Sequence, residues 1–253
     1  MDLTHVNNAA LDNYRELRKR IGLIAFAFPF WLVVVGLFWG LSVAPTLSDY
    51  YFAKAPSGRV DDYPVRLWFC GMLFAVGVFL FRYHGFSKNE DRWLSMAGAF
   101  TLGVAIFPKS VDHRNDWDFL VAWIGVPNLS LHAICAVLAF ACIGVVIFWY
   151  SDSTLSELRK KDPIAAKRFK TFYFLIGAYM AVAIGISVVL HYLDHDRMHD
   201  HYILAAEWSG VWAFSAYWFV KNWELSLVAE MLGKAPADKA RAPKSRAEAA
   251  EMI

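Results

Sequence analysis

One uncharged apolar stretch near the amino terminus limits the folds that are open to this chain. Residues 23–44 form 22 consecutive positions without a single charged side chain. At a rise of about 1.5 Å per residue, a helix of this length crosses a hydrocarbon layer of roughly 30 Å. The stretch is too long for the apolar core of a signal peptide, so we expect it to remain as a helix of the mature protein.

Five further apolar segments follow, and together with the first they predict six membrane-spanning helices. The predicted segments cover residues 23–44, 67–81, 93–107, 131–150, 171–190 and 202–220. Hydrophobic side chains make up 58% of the chain, whereas a soluble domain has about 45–50%. Backbone N–H and C=O groups cannot stay unpaired in lipid, so each segment is expected to be helical. The predicted fold class is all-α, with six transmembrane helices in one bundle.

The distribution of lysine and arginine predicts the orientation of this bundle. Nineteen of the 25 basic residues lie at the two termini and in the loops after the second and fourth segments. Because basic residues are retained on the cytoplasmic side, both termini are predicted to be cytoplasmic, in a bacterial inner membrane. The predicted topology explains where the basic residues lie, and the net charge is only +2. The basic residues therefore give no reason to expect nucleic-acid binding. The expected partners are the lipid bilayer and other membrane-protein subunits.

The two ends of the chain are predicted to differ from the bundle between them. Residues 1–20 show helical spacing of apolar side chains and are predicted to form an amphipathic helix on the inner membrane surface. The six-helix domain is assigned to residues 21–225. Residues 226–253 form a basic tail with little to bury, which predicts disorder. Within the domain, Asp162 followed by Pro163 predicts the N-cap and first turn of the fifth spanning helix.

Histidines and aspartates gather in the loops that are predicted to face outward. Four of the eight histidines lie within HYLDHDRMHDH, residues 191–201. His191 and His195 are four positions apart, so on a helix they share one face and can bind one ion. With His132 and an aspartate such as Asp112, they would form a site for zinc, manganese or iron. The alternative is a solvated loop whose polar side chains contact water and lipid headgroups.

His132 and Glu207 are ionisable residues inside predicted apolar helices, where such groups are costly and often functional. Both lie near the predicted outward ends of their helices. They would pair, with Glu207 accepting a proton from the imidazole, or they would act as one metal ligand and one general base. The alternative is a structural hydrogen bond between two helices.

Two further side chains are candidates for contact with a substrate. Arg66 begins the second apolar segment and would hold a phosphate or carboxylate headgroup. Alternatively, Arg66 is an interfacial residue that pairs with Asp49 or Asp62. Trp208, with Trp212 one turn later, would stack on a ring of a ligand or simply pack between helices.

Several sequence runs together resemble a group of membrane proteins. The runs are LSDYYF, RLWFCGMLFAVGVFLFRYHGF, AGAFTLGVAIFP, LHAICAVLAF and EWSGVWAFSAYWFVKNWE. In this order they resemble uncharacterised bacterial six-helix membrane proteins of the DUF998 and Frag1/DRAM-like groups, over residues 46–223. By position, the resemblance marks Ser48, Tyr50, Tyr51, Arg66, Tyr83, Gly85, Pro108, His132, Glu207 and Lys221. It implies a six-helix fold and implies no particular reaction.

A looser similarity, held as an analogy, is to the ceramidase and progestin-receptor-like membrane hydrolases. Those proteins build a zinc site from a serine, an aspartate and three histidines. By analogy, Ser48, His132, His191 and His195 would form such a site here, with Ser48 and Glu207 as catalytic groups. The motif spacing and the seventh helix of those hydrolases are missing from this chain.

Three hypotheses of function follow from these residues. The first is a metal-dependent hydrolase that acts on a lipid or an amide, with Arg66, Tyr50, Tyr51 and Trp208 near the substrate and a divalent metal such as zinc. The second is a non-catalytic scaffold or accessory subunit of a membrane complex, because no strong catalytic motif occurs. The third is a b-type haem electron-transfer subunit with His132 and His191 as axial ligands. Transport is not favoured, because no paired Gly/Pro breaks interrupt the helices.

Overall fold

The computed structural model describes an all-helical arrangement over residues 3–56, 63–83, 85, 87–107, 109, 130–151, 155–193 and 201–231. No strand occurs among these residues. The α-helices are α1 (Leu3–Phe38), α2 (Arg66–Arg82), α3 (Lys88–Ile106), α4 (Leu131–Val145), α5 (Leu155–Lys161), α6 (Pro163–Leu193) and α7 (Tyr202–Met231). A 3-10 turn at Ser48–Tyr51 follows α1, and α4 continues as a π-helix over Val146–Tyr150.

Three helical stretches of the described chain are long and apolar enough to cross a membrane. They are Arg15–Phe38, Leu131–Tyr150 and Pro163–Leu193, and they match the first, fourth and fifth predicted segments. The second and third predicted segments correspond to α2 and α3, which are shorter, with 17 and 19 residues. The sixth corresponds to α7. The long apolar helices indicate a lipid environment for the bundle.

The six long helices form a closed bundle in chain order. Each of α1, α2, α3, α4, α6 and α7 packs against the next one, and α7 packs back against α1. The contact between α2 and α3 is especially close at Gly98. A Cβ atom there would lie 2.4 Å from the Phe81 nitrogen and 2.6 Å from the Gly77 oxygen. The two helix backbones therefore touch where a side chain would separate them.

The amino-terminal segment differs from the separate surface helix that was expected over residues 1–20. It forms one continuous helix with the first apolar segment, because α1 runs without a break from Leu3 to Phe38. Arg18, which belongs to the expected surface helix, is only 1% exposed. The Arg18 side chain therefore packs against the bundle, whereas Glu16, Leu17, Lys19 and Arg20 beside it are exposed.

A glycine ends α1 six residues before the predicted end at residue 44. Gly40 has a φ of +75°, which only glycine adopts without strain. Its N–H donates to the Leu37 oxygen at 3.0 Å, and the Leu41 N–H donates to the Gly36 oxygen at 2.9 Å. These two bonds form a Schellman motif, which satisfies carbonyls that the helix end leaves free. The chain can then turn back toward the bundle as the Ser48–Tyr51 turn.

The start of α6 confirms one prediction, and the end of α7 corrects another. Asp162 Oδ1 accepts hydrogen bonds from the Ile164 and Ala165 N–H groups at 3.0 and 2.9 Å, as an N-cap does. In contrast, α7 continues past residue 220 to Met231. Residues 226–231, which were assigned to a disordered tail, are helical because they extend this packed helix. Residues 232–253 lie outside the described chain.

Candidate functional site

Ser48 lies between two helix ends and contacts one ionisable side chain from each. It begins the 3-10 turn and is 5% exposed. Its Oγ lies 2.9 Å from His132 Nε2, in the first turn of α4, and 3.0 Å from Glu207 Oε1, on α7. We call Ser48, His132 and Glu207 the serine site. The structure thus brings together three of the residues that were predicted from the sequence.

A backbone carbonyl fixes which nitrogen of His132 carries a proton. His132 Nδ1 lies 2.7 Å from the Phe107 oxygen. Because a carbonyl oxygen only accepts hydrogen bonds, Nδ1 must be the donor. Nε2 therefore faces Ser48 as an acceptor when the ring is neutral and as a donor when the ring is cationic. The neutral form is the one that a nucleophile–base pair requires.

Glu207 holds the turn that carries Ser48. Its Oε2 accepts a hydrogen bond from the Leu47 N–H at 2.6 Å, and its Oε1 is the atom that faces Ser48. Each carboxyl oxygen thus binds one of two consecutive residues. Glu207 lies six residues into α7, so the first turns of this helix anchor the 3-10 turn.

Ser48 makes two hydrogen bonds, to Glu207 and to His132, and the donors and acceptors in them can be arranged in two ways. In the first arrangement, a neutral Glu207 donates to Ser48, and Ser48 donates to a neutral His132. In the second, a cationic His132 donates to Ser48, and Ser48 donates to the Glu207 carboxylate. The Ser48 hydroxyl is the middle link in both. A proton can therefore pass between Glu207 and His132 through Ser48.

An apolar cavity of about 100 Å³ extends from the serine site into the bundle. Five helices, α1, α2, α3, α4 and α7, contribute to its wall. Ser48 and Glu207 lie at one end, and Leu80, Ile143 and Phe214 lie toward the other end. The position of Ile143, eleven residues after His132 on α4, places it roughly 16 Å further along the bundle. The cavity thus offers a hydroxyl nucleophile at one end and an apolar space beyond it.

The segment after α3 supports the serine site at two points. Phe107 supplies the carbonyl that orients His132. Lys109 Nζ lies 2.6 Å from Asp49 Oδ1 and 3.4 Å from Thr46 Oγ1. Asp49 is the residue after Ser48, so this ion pair joins the 3-10 turn to the end of α3. Of the two expected partners of Arg66, Asp49 is instead paired with Lys109, and Asp62 lies outside the described residues.

Arg66 is held among aromatic rings and does not contact Asp49 in the described structure. Its guanidinium carbon lies 3.9 Å from the ring centre of Tyr63 and 4.6 Å from that of Tyr51. Its Nε donates to the Tyr51 oxygen at 2.9 Å. These contacts make Arg66 a link between the start of α2 and the residue that ends the 3-10 turn. Its contact with a headgroup stays a prediction, as does that of Tyr51.

Tyr50 and Trp208 pack between elements and are not part of the cavity wall that the described residues form. Tyr50 is 1% exposed, and its ring lies so close to Gly36 that a Cβ there would be 2.8 Å from it. Burial raises the pKa of the Tyr50 hydroxyl, which therefore stays neutral. The Trp208 ring lies 5.1 Å from that of Phe30 on α1. Both rings thus stabilise the elements around the serine site.

Of the predicted metal ligands, His132 and His191 lie among the described residues, whereas His195 and Asp112 do not. His191 lies in the last turn of α6, with its ring 5.5 Å from that of Tyr192. Among the described residues, no group of three or more His, Cys, Asp or Glu side chains could hold a metal ion. His195 and Asp112 lie outside the described residues. Their part in a metal site stays a prediction.

A second buried polar cluster, which the sequence did not predict, lies further along α7. Lys221 and Glu224 are both 0% exposed, and Lys221 Nζ lies 3.6 Å from Glu224 Oε2. Lys221 also donates to the Ser151 oxygen at 3.0 Å, and the Tyr173 hydroxyl donates to Glu224. The separation of fourteen positions between Glu207 and Lys221 corresponds to roughly 20 Å of helix. The two polar regions are therefore well separated.

Two more charged side chains belong to this second region. Arg18 and Glu90 are each 1% exposed, and both lie within electrostatic range of Lys221. We call Arg18, Glu90, Tyr173, Lys221 and Glu224 the charged cluster. The signal that could have revealed it is the i, i+3 spacing of Lys221 and Glu224 beyond residue 220. The hydropathy pattern does not indicate it, because Lys221 follows the sixth apolar segment, which ends at residue 220.

The chain matches no protein-family model, no curated protein and no solved structure. The resemblance to the DUF998 and Frag1/DRAM-like groups stays a prediction.

Proposed function

We propose that the chain is a membrane-embedded serine hydrolase that cleaves an acyl ester or amide, such as that of a lipid. One observation carries the proposal: Ser48 Oγ lies 2.9 Å from His132 Nε2 at the wall of an apolar cavity. A serine hydroxyl is a weak nucleophile until a base accepts its proton. A histidine with its far nitrogen held by a third group is the base that such enzymes use.

The reaction follows from the hydrogen bonds of the serine site. Ser48 Oγ attacks the carbonyl carbon, and its proton passes to His132 Nε2. His132 then gives this proton to the leaving alcohol or amine, so the ester or amide bond breaks and an acyl-serine remains. Water, activated by His132, hydrolyses the acyl-serine and restores the free hydroxyl. Ser48 Oγ can donate to Glu207 Oε1 or to His132 Nε2. A protonated Glu207 would donate to Ser48 and so direct the Ser48 hydrogen at His132.

The proposal replaces metal chemistry at His132 with serine chemistry. His132 Nδ1 bonds to Phe107, and Nε2 bonds to Ser48. A zinc ion or a haem iron would need one of these nitrogens and would have to break that bond. A metal bound by His191, His195 and Asp112 would therefore be held without His132. Metal analysis of the purified protein tests for it.

The same proposal includes the topology: six spanning helices, α1, α2, α3, α4, α6 and α7, in a bacterial inner membrane with both termini in the cytoplasm. The packing of each helix against its neighbour in the chain supports this order. The distribution of 19 of 25 basic residues supports the orientation. Reporter fusions should then place the carboxyl terminus inside and the stretch around Arg197 outside. A fusion at Arg197 that reports the cytoplasm would overturn the topology.

An alkyl fluorophosphonate tests the proposed nucleophile directly. In the full-length protein in detergent, we expect one phosphonyl group to attach to Ser48, with loss of fluoride, as read by mass spectrometry. Ser48→Ala should abolish labelling. His132→Gln should slow it by roughly 100-fold or more, because a general base contributes about 10²–10⁴-fold.

Thr101 provides a matched control for this experiment. It lines the same cavity, but its hydroxyl donates to the Ala97 oxygen at 2.8 Å, and no histidine of the described residues bonds to it. Thr101→Val should therefore leave the labelling rate unchanged. A folded protein that takes no label at Ser48 would overturn the proposal. The serine site would then be a structural link between helices, as a scaffold protein requires.

A further inference from the structure

We infer that the serine site selects substrates with a short acyl group of about four to six carbons, because the cavity beyond Ser48 holds no more. The inference rests on the proposed serine hydrolase and names its substrate class. It depends on three features of the cavity: its volume, its far end and the small side chains of α4.

The volume of the cavity, and not its length, limits the acyl group. Along α7, the distance from Glu207 to Phe214 is about 10 Å, which would suit a longer chain. The cavity volume, however, is about 100 Å³. An engineered cavity of about 150 Å³ in another protein binds one benzene molecule. A space of two thirds that size thus accepts a few carbon atoms in a narrow channel.

The far end of the cavity is formed by large side chains in the core. Leu80 is 0% exposed, Phe214 is 4% exposed and Ile143 is 7% exposed. Phe214 packs in turn against Trp218, at a ring separation of 6.0 Å. A longer acyl chain would have to displace these side chains. Close-packed interiors resist such displacement, so longer substrates should react more slowly.

Two alanines on α4 make the space that remains. Ala136 and Ala139 lie about one and two turns beyond His132, and both line the cavity. Ala139 is 7% exposed, so its methyl group faces the interior. A larger side chain at this position would occupy the space of the acyl group. Ala139 is therefore the residue that determines chain length.

A series of fluorophosphonates with alkyl groups from methyl to dodecyl tests the inference. Each methylene that enters the cavity should raise the labelling rate of Ser48 by up to about fourfold, the equivalent of roughly 0.8 kcal/mol per buried CH₂. The rate should reach a maximum near pentyl and fall at least about tenfold by dodecyl. The readout is the second-order rate constant of labelling for each probe.

Two cavity variants should move this maximum in opposite directions. Ala139→Leu adds three carbons to the wall, so the maximum should move to probes shorter by about three carbons. Ile143→Ala opens the far end and should move the maximum to longer probes. Ala141→Leu is the control, because Ala141 lies on the exposed face of the same helix. Residue 139 lies about 10 Å along α4 from His132, so the methyl group does not reach it. Labelling by the methyl probe therefore reports whether Ser48 and His132 remain in place in each variant.

The outcomes separate this inference from the proposed function. Labelling of Ser48 at rates that do not depend on chain length would overturn the inference and leave the hydrolase proposal in place. The inference would also be overturned if neither Ala139→Leu nor Ile143→Ala shifts the alkyl length at which the labelling rate is highest. If no probe of any length labels Ser48, the proposed function itself fails.

Discussion

The serine site and the charged cluster are both buried polar regions of the same bundle, and α7 contributes a glutamate to each. The serine site joins one hydroxyl, one imidazole and one carboxyl group, and it opens on a cavity. The charged cluster holds two cations and two carboxylates, each 1% exposed or less. Buried polar groups beside empty space can meet a ligand. Buried charges enclosed by packed side chains mainly hold helices together.

The two regions should also differ in the free energy that each contact contributes. A neutral hydrogen bond contributes about 0.5–1.5 kcal/mol to stability. Removal of one partner of a buried ion pair costs about 3–5 kcal/mol, because the other charge stays buried without compensation. We therefore expect replacement of glutamate by glutamine to lower the free energy of unfolding more in the charged cluster than in the serine site.

The largest expected effect is that of Glu224→Gln. Lys221 would lose its carboxylate partner at 3.6 Å while staying fully buried. We expect the free energy of unfolding to fall by about 3 kcal/mol, as measured by denaturant titration in detergent micelles.

Glu207→Gln is the matched variant on the same helix. The amide oxygen can accept from the Leu47 N–H, and the amide N–H can donate to Ser48, so every hydrogen bond of the site is kept. We expect a loss below about 1 kcal/mol. Equal losses in the two variants would show that the regions do not differ as proposed.

A smaller effect is expected when part of the charged cluster is replaced as a unit. The triple variant Tyr173→Phe, Lys221→Met and Glu224→Leu removes the hydroxyl, the ammonium and the carboxylate together. Apolar replacement of a buried ion pair is often neutral. The triple variant should therefore unfold within about 1 kcal/mol of the original chain, in the same titration. A loss as large as that of Glu224→Gln would mean that Arg18 and Glu90 need these partners.

The smallest effect is expected at the ion pair beside the serine site. Lys109 and Asp49 are 2.6 Å apart, closer than Lys221 and Glu224, but their side chains are 38% and 31% exposed. Water and salt screen such a pair, so Lys109→Met should lower the free energy of unfolding by less than about 1 kcal/mol. Lys221→Met should lower it several-fold more. The opposite order would mean that distance outweighs burial.

The sequence predicts most of the helices, because hydropathy is a local property. The stretches that become α1, α4 and α6 are long and uniformly apolar, and the cap at Asp162 depends on two adjacent residues. His132 and Glu207 were recognised as unusual because apolar residues surround them. Their link through Ser48 depends on how a loop folds back after Gly40, and no local pattern encodes that distance. The charged cluster has no such local signal, because a lysine in an isolated sequence looks exposed, and its buried partners on α1, α3 and α6 are distant in the chain.

The atom that orients His132 belongs to the main chain, and this has an evolutionary consequence. In a Ser–His–Asp triad, a single substitution of the aspartate removes the orienting group. Here Phe107 can be replaced by any amino acid, and a carbonyl oxygen remains at that position. A point mutation at residue 107 can therefore remove the orienting carbonyl only by moving the end of α3. Drift in sequence around this position is compatible with unchanged chemistry, so relatives with a different residue at 107 would be expected to keep the same histidine geometry.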